Sequence, residues 1–175
     1  GDLILRQDVR DFEDSIASMV GTKYACSLNS GFDALHHSVR ALGLGPGDEV
    51  ITVAHTFVAT VAAIVHCGAT PILVDVDEDF NMNMDQFEAV ITDRTKAVIP
   101  VHLNGRLCDM GRLMDIANRH NLKVIEDAAQ ALLGTFDGQM AGSFGNTGCF
   151  SLYPFKLLGA FGDGGIVTKS RGGYG

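Results

Sequence analysis

Tryptophan is absent from this chain, tyrosine occurs 3 times and proline 4 times, and cationic side chains are outnumbered, with 13 Lys and Arg against 21 Asp and Glu. A formal charge of −8 argues against nucleic acid or an anionic membrane, and neither is expected as a partner. No apolar run approaches the roughly 20 residues of a membrane-spanning helix, and the opening residues are not expected to act as a signal peptide. Cysteine is sparse. Cys26, Cys67, Cys108 and Cys149 are equally spaced, but their neighbourhoods share nothing and none has a partner at metal-ligand spacing. No metal site is expected, and reduced thiols in a cytoplasmic protein are the default. There is no Gly-Lys pair, hence no phosphate-binding loop of the Walker type. Gly43, Gly45 and Gly47 imitate a dinucleotide fingerprint in glycine count, but they follow a helical segment and precede a strand, the reverse of the required order. That argues against a nicotinamide-dependent enzyme.

What is present is apolar and periodic. Hydrophobic residues make up 46% and charged residues 19% of 175 positions, the balance of a packed globular chain, and 21 glycines suggest tight turns or close backbone approaches to a ligand. Val9, Phe12 and Ile16 recur at helical spacing over residues 7–20, and Gly21 is placed to end that helix. A strand is expected over 23–28, then a turn at Asn29-Ser30-Gly31, then a helix with Leu35, Val39 and Leu42 on its apolar face. Further strands are expected over 49–53, 70–76, 97–101 and 122–126, with helices over 58–67, 84–91 and 109–121 between them. The helix over 58–67 is nearly all apolar and is expected to be buried on most sides; the strand over 70–76 is also expected to be buried. This alternation predicts an α/β fold with a mostly parallel sheet covered by helices on both faces, a three-layer α/β/α sandwich. Ligands of such sheets gather at the strand ends, and Ser30, Phe57, His102 and Asp127 all lie just beyond a predicted strand. His102 alone reads first as a satisfied polar group, Phe57 as core or as a stacking surface, and Ser30 as a helix cap or part of an anion site.

Residues 124–165 carry the most demanding chemistry. An apolar strand ends on Glu126-Asp127-Ala128-Ala129-Gln130, and Ser151 and Lys156 follow in a segment that also holds Pro154, Phe155, Leu157 and Leu158. A carboxylate at a strand end can hold a protonated heterocyclic nitrogen, and a lysine desolvated by apolar neighbours is a Schiff-base nucleophile. The combination points to a pyridoxal 5'-phosphate (PLP) site with Asp127 under the pyridine nitrogen, Gln130 able to reach the ring oxygen, and Ser151 with the backbone of Gly31 and Phe32 holding the phosphate.

Asn29-Ser30-Gly31-Phe32-Asp33-Ala34-Leu35, Gly45-Pro46-Gly47-Asp48-Glu49-Val50-Ile51, Thr56-Phe57-Val58-Ala59-Thr60, Glu126-Asp127-Ala128-Ala129-Gln130-Ala131 and Ser151-Leu152-Tyr153-Pro154-Phe155-Lys156 together resemble the DegT/DnrJ/EryC1/StrS family of sugar aminotransferases. The resemblance implies the aspartate-aminotransferase fold (fold type I). It also implies transfer of an amino group from an amino acid such as glutamate to a nucleotide-linked keto-sugar, by a homodimer. By position it makes Lys156 the internal-aldimine lysine, Asp127 the pyridine-nitrogen partner and Phe57 the stacking residue. Gln130 becomes the ring-oxygen contact, and Ser30, Gly31, Phe32 and Ser151 the phosphate site. Phe32 stands where the family usually has threonine and Leu157 where it often has asparagine, so the phosphate contact at residue 32 is left to the backbone. Residues 1–175 are expected to be the PLP-binding large domain, truncated at both ends and lacking the family's smaller C-terminal domain. The alternatives are an inactive fragment or another fold type I PLP enzyme, such as a sugar dehydratase or an amino-acid aminotransferase.

Overall fold

The computed structural model describes residues 6–169, so the expected truncation at the two ends lies outside the described residues. Helix α1 (Gln7–Val20) buries Ile16, Ala17 and Val20 and stops where Gly21 takes a left-handed conformation, φ 79°, with its N–H on Ala17 O. Five strands then alternate with helices: β1 (Tyr24–Leu28), α2 (Gly31–Ala41), β2 (Glu49–Val53), α3 (Val58–His66), β3 (Thr70–Val74), α4 (Met84–Ala89), β4 (Thr95–Ile99), α5 (Met110–Arg119) and β5 (Lys123–Asp127). A short ribbon, β6 (Thr135–Phe136) with β7 (Gln139–Met140), leads to β8 (Thr147–Ser151) and β9 (Gly165–Lys169).

Among the described residues seven strands form one sheet in the order β1-β9-β8-β5-β4-β2-β3. The pairings of β8, β5, β4, β2 and β3 are parallel, and β9 runs against both of its neighbours, so the sheet is mostly parallel with one reversed strand. Alternation along the strands divides the core. Ile51, Val98, Val124 and Phe150 face the layer of α1, α4 and α5, while Val50, Ala97, Ile99, Ile125 and Cys149 face Leu35 and Val39 of α2 and Ile64 of α3. The sheet is therefore covered on both faces, the three-layer arrangement expected from the sequence.

Two expectations about burial are corrected. Helix α3 buries Thr60, Ala63 and Ile64 along one stripe, and Val58 and Val65 stand exposed on the other. Its apolar composition does not mean enclosure, because α2 and the sheet cover one side of it alone. The strand over 70–76 ends at Val74 and lies at the sheet's edge with Leu73 exposed, which also accommodates Pro71, a residue without an N–H to donate. No helix among the described residues is long and apolar enough to cross a membrane.

Candidate active site

The carboxyl ends of β2, β4, β5 and β8 and the start of α2 converge on a cavity of about 580 Å³. Ser30, Gly31, Phe32, Phe57, Asp127, Gln130, Ser151 and Lys156, all singled out from the sequence, line it together with Thr56, His102, Tyr153, Phe155 and Asp163.

Asp127 closes β5 and shares the parity of Ile125, which sends its side chain to the α2–α3 face. It is 5% exposed. Its Oδ2 accepts from Thr60 Oγ1 at 2.7 Å and its Oδ1 from the Ala129 N–H at 3.2 Å. Burial pushes this carboxyl above the usual carboxylate range, opposed by the bonds from Thr60 and Ala129 and by the charges of His102 and Lys156. A buried carboxyl in this state is suited to a cationic ring nitrogen, whose charge replaces the lost hydration.

The second part is an anion cradle. Ser30 caps α2, its Oγ accepting from the Asp33 N–H at 3.1 Å. The Ala34 N–H is the first to reach back, to Ser30 O, so the N–H groups of Gly31 and Phe32 have no partner within the helix and stand at its positive end. Ser151, the last residue of β8, lies directly beside them: a Cβ on Gly31 would sit 2.8 Å from Ser151 Cβ. Likewise a Cβ on Gly165 would sit 2.1 Å from Ser30 O, so β9 touches the helix start only because residue 165 has no side chain. Two free N–H groups and a hydroxyl at a helix N-terminus match a phosphate group. Ser30 Oγ is committed to its cap, and the Phe32 ring turns aside to stack on His36 at 5.6 Å, so these residues meet the cradle through their backbone.

Lys156 is half-buried in the turn after β8. Its expected desolvation by sequence neighbours is corrected: Phe155 is 90% exposed and Leu157 also points outward. Phe57, 73% exposed at the start of α3, presents its ring to the cavity rather than to the core. Gln130 Oε1 accepts from the Asn104 N–H at 2.8 Å, which fixes the amide and leaves its NH₂ to donate. His102 is fully buried, Nε2 lying 3.1 Å from Glu126 Oε2 and Nδ1 accepting from the Cys108 N–H at 3.3 Å; it is a satisfied polar group in the cavity wall.

Three contributors escaped the sequence reading. Thr60 and Thr56 support Asp127 through hydroxyls 2.8 Å apart, and Glu126, on the opposite face of β5, accepts from the N–H groups of Gly142, Phe144 and Gly145 and bonds His102. Thr60 lies on α3 and Thr56 just before that helix, and no local pattern ties either of them to a carboxyl 67 positions away.

Residues 1–172 match the model of the DegT/DnrJ/EryC1/StrS aminotransferase family. The chain is 50% identical over 168 residues to UDP-N-acetyl-3-dehydro-alpha-D-glucosamine 3-aminotransferase of Acidithiobacillus ferrooxidans, which covers 95% of this chain and 46% of the relative. It therefore spans about half the length of the curated relatives it matches. Among solved structures, the aminotransferase from Psychrobacter cryohalolentis superposes with a TM-score of 0.94 at 41% identity, covering 97% of this chain and 43% of that one. NtdA of Bacillus subtilis, solved with its bound cofactor PMP, does so with a TM-score of 0.87 at 38% identity, covering 94% and 37%. The architecture is that of the fold type I aminotransferases. With sequence, fold and a cavity built from the same motifs in agreement, the chain belongs to the DegT/DnrJ/EryC1/StrS aminotransferase family.

Proposed function

We propose that residues 1–175 form the cofactor-holding large domain of a PLP-dependent aminotransferase that moves an amino group from an amino acid, glutamate first among them, to a nucleotide-linked keto-sugar. The observation that carries this reading is the meeting, in one cavity, of the buried Asp127 carboxyl, the Lys156 amine, and the helix-start cradle of Gly31, Phe32 and Ser151. Bound PLP supplies an electron sink through which an amino group can pass between carbon skeletons. With PLP bound, Asp127 would hold the proton on the ring nitrogen, Ser151 and the N–H groups of residues 31 and 32 would hold the phosphate, and Phe57 would stack on the ring. Gln130 donates to the ring oxygen. Lys156 would be the amine offered to the cofactor's aldehyde group, and its Nζ would hold and pass on a proton. The names of the relatives support the sugar substrate.

The exposed Phe57, Val58, Phe155 and Leu157 lie on segments bordering the cavity, so its mouth is apolar and open on that side. In this reading a second copy covers it, and the working enzyme is a cytoplasmic homodimer. The test is a half-reaction. PLP-loaded protein mixed with glutamate is expected to convert its visible absorption to that of PMP, and a nucleotide-linked keto-sugar is expected to reverse the change. No conversion with any amino acid, in protein that has bound PLP, overturns the proposed activity.

A further inference from the structure

Asp127 depends on a device that its own motif does not contain. Thr60 is fully buried on α3, with Oγ1 2.7 Å from Asp127 Oδ2 and 2.8 Å from Thr56 Oγ1. An ionised carboxylate only accepts, so the single Thr60 proton points at Asp127 and a Thr60 lone pair accepts the proton of Thr56. The two hydroxyls then form a chain with one direction, Thr56 to Thr60 to Asp127, each bond polarising the next. Thr56 lines the cavity, so the chain runs from the cavity wall to the buried acid.

We propose that Thr60, backed by Thr56, is a positioning residue that holds Asp127 ionised and oriented before a cofactor arrives; this rests on the reading of Asp127 as the partner of the PLP ring nitrogen. The other ionisable groups near Asp127 lie on β5 itself, beyond β4, and on and beyond β8. On its own strand, Glu126 has its oxygens occupied by three N–H groups and His102. His102, beyond β4, has Nε2 turned to Glu126 and Nδ1 to Cys108, and as a cation it also favours the Asp127 carboxylate, less than the Thr60 bond does. Cys149 on β8 has its thiol pushed up by burial and lies 3.3 Å from Ser38 Oγ on α2. Lys156, beyond β8, acts on Asp127 as a cation, but it is the group that must leave that role to react. Burial is the largest influence on Asp127, and the Thr60 bond is the foremost one opposing it.

The sign follows. A cationic ring is held by the carboxylate form, so PLP affinity rises as pH climbs through the Asp127 value. Removing the Thr60 hydroxyl lets burial raise that value further, and the acid limb of affinity moves to higher pH. The experiment measures the PLP dissociation constant against pH for the parent chain, Thr60→Val, Thr60→Ser and Asp127→Asn, with thermal melts of each PLP-free protein. Thr60→Val keeps the side-chain shape and is expected to weaken binding at neutral pH about tenfold, the order for a hydrogen bond to a charged group. It is also expected to shift the acid limb upward, and Thr60→Ser is expected to restore both. A uniform loss of affinity with the limb unmoved means a purely structural role and overturns the proposal. So does a limb abolished in Asp127→Asn yet unmoved in Thr60→Val. Asp127→Asn binding as tightly as the parent overturns the reading of Asp127 itself, and the proposal with it. Should Thr60→Val fail to fold, Thr56→Val tests the same chain, and the absence of any upward shift there overturns the proposal.

Discussion

Strand alternation sends Glu126 and Asp127 to opposite faces of β5, and the two carboxylates meet different surroundings. Glu126 is fully buried and ties the 142–145 turn to His102, with Gly142 at 2.7 Å, Phe144 at 2.8 Å and Gly145 at 2.7 Å. Every oxygen lone pair it needs to satisfy has a donor, so it is structural. Glu126→Ala would strand three N–H groups and is expected to cost about 3 kcal/mol or more in urea unfolding. Asp127 has two donors and faces a cavity, so it has capacity left for a ligand. Asp127→Asn is expected to leave folding nearly unchanged or improved, since burial disfavours its charge, while PLP affinity falls; equilibrium unfolding and a PLP titration check the two halves. Glu49 behaves in the opposite sense. The Thr92 hydroxyl and then Arg94 hold its carboxyl below the ordinary 4.5. Its contribution to stability is thus complete above that ordinary value and is lost as pH falls through the lower, folded-state one. Glu49→Gln is expected to flatten the acid side of a stability-versus-pH curve, which melts at stepped pH would show.

At the level of elements, the site depends on how closely α2, β8 and β9 approach. Gly31 and Gly165 leave room for backbone that a Cβ would displace, with 2.8 Å to Ser151 Cβ and 2.1 Å to Ser30 O. Gly165→Ala must push the start of α2 away from β9. About 1–3 kcal/mol of destabilisation is expected, the range for overpacking, together with weaker phosphate binding, read by melts and by titration with PLP. The amphipathic elements were legible because their period is set by burial: α1 ends at Gly21 as its left-handed conformation requires, and α5 begins after Asp109, whose side chain caps it. The sequence Thr147-Gly148-Cys149-Phe150-Ser151 did not announce a strand, because glycine and serine weaken the pattern and the partner β9 lies across a long intervening segment. The exposure of α3 was also hidden, since composition reports how apolar a helix is and not what covers it. The site residues could be read because their motifs sit at strand ends; Thr60 could not, because its role depends on a bond to a residue 67 positions away.

For the whole molecule, the proposed dimer places a second copy over the exposed apolar mouth of the cavity. Leu157 is exposed and does not line the cavity, so Leu157→Asp is expected to convert a dimer to monomer in light scattering and to weaken PLP binding through loss of the covering subunit. The central claim is that Lys156 is the residue that attaches to PLP in this cavity. Its most direct test is mass spectrometry of peptides after the chain is incubated with PLP and reduced with borohydride, beside Lys156→Ala. The account predicts a phosphopyridoxyl mass on the peptide carrying Lys156, with a visible band that disappears on reduction, and neither in Lys156→Ala. Stoichiometric label on another lysine, or label that persists unchanged in Lys156→Ala, would contradict it.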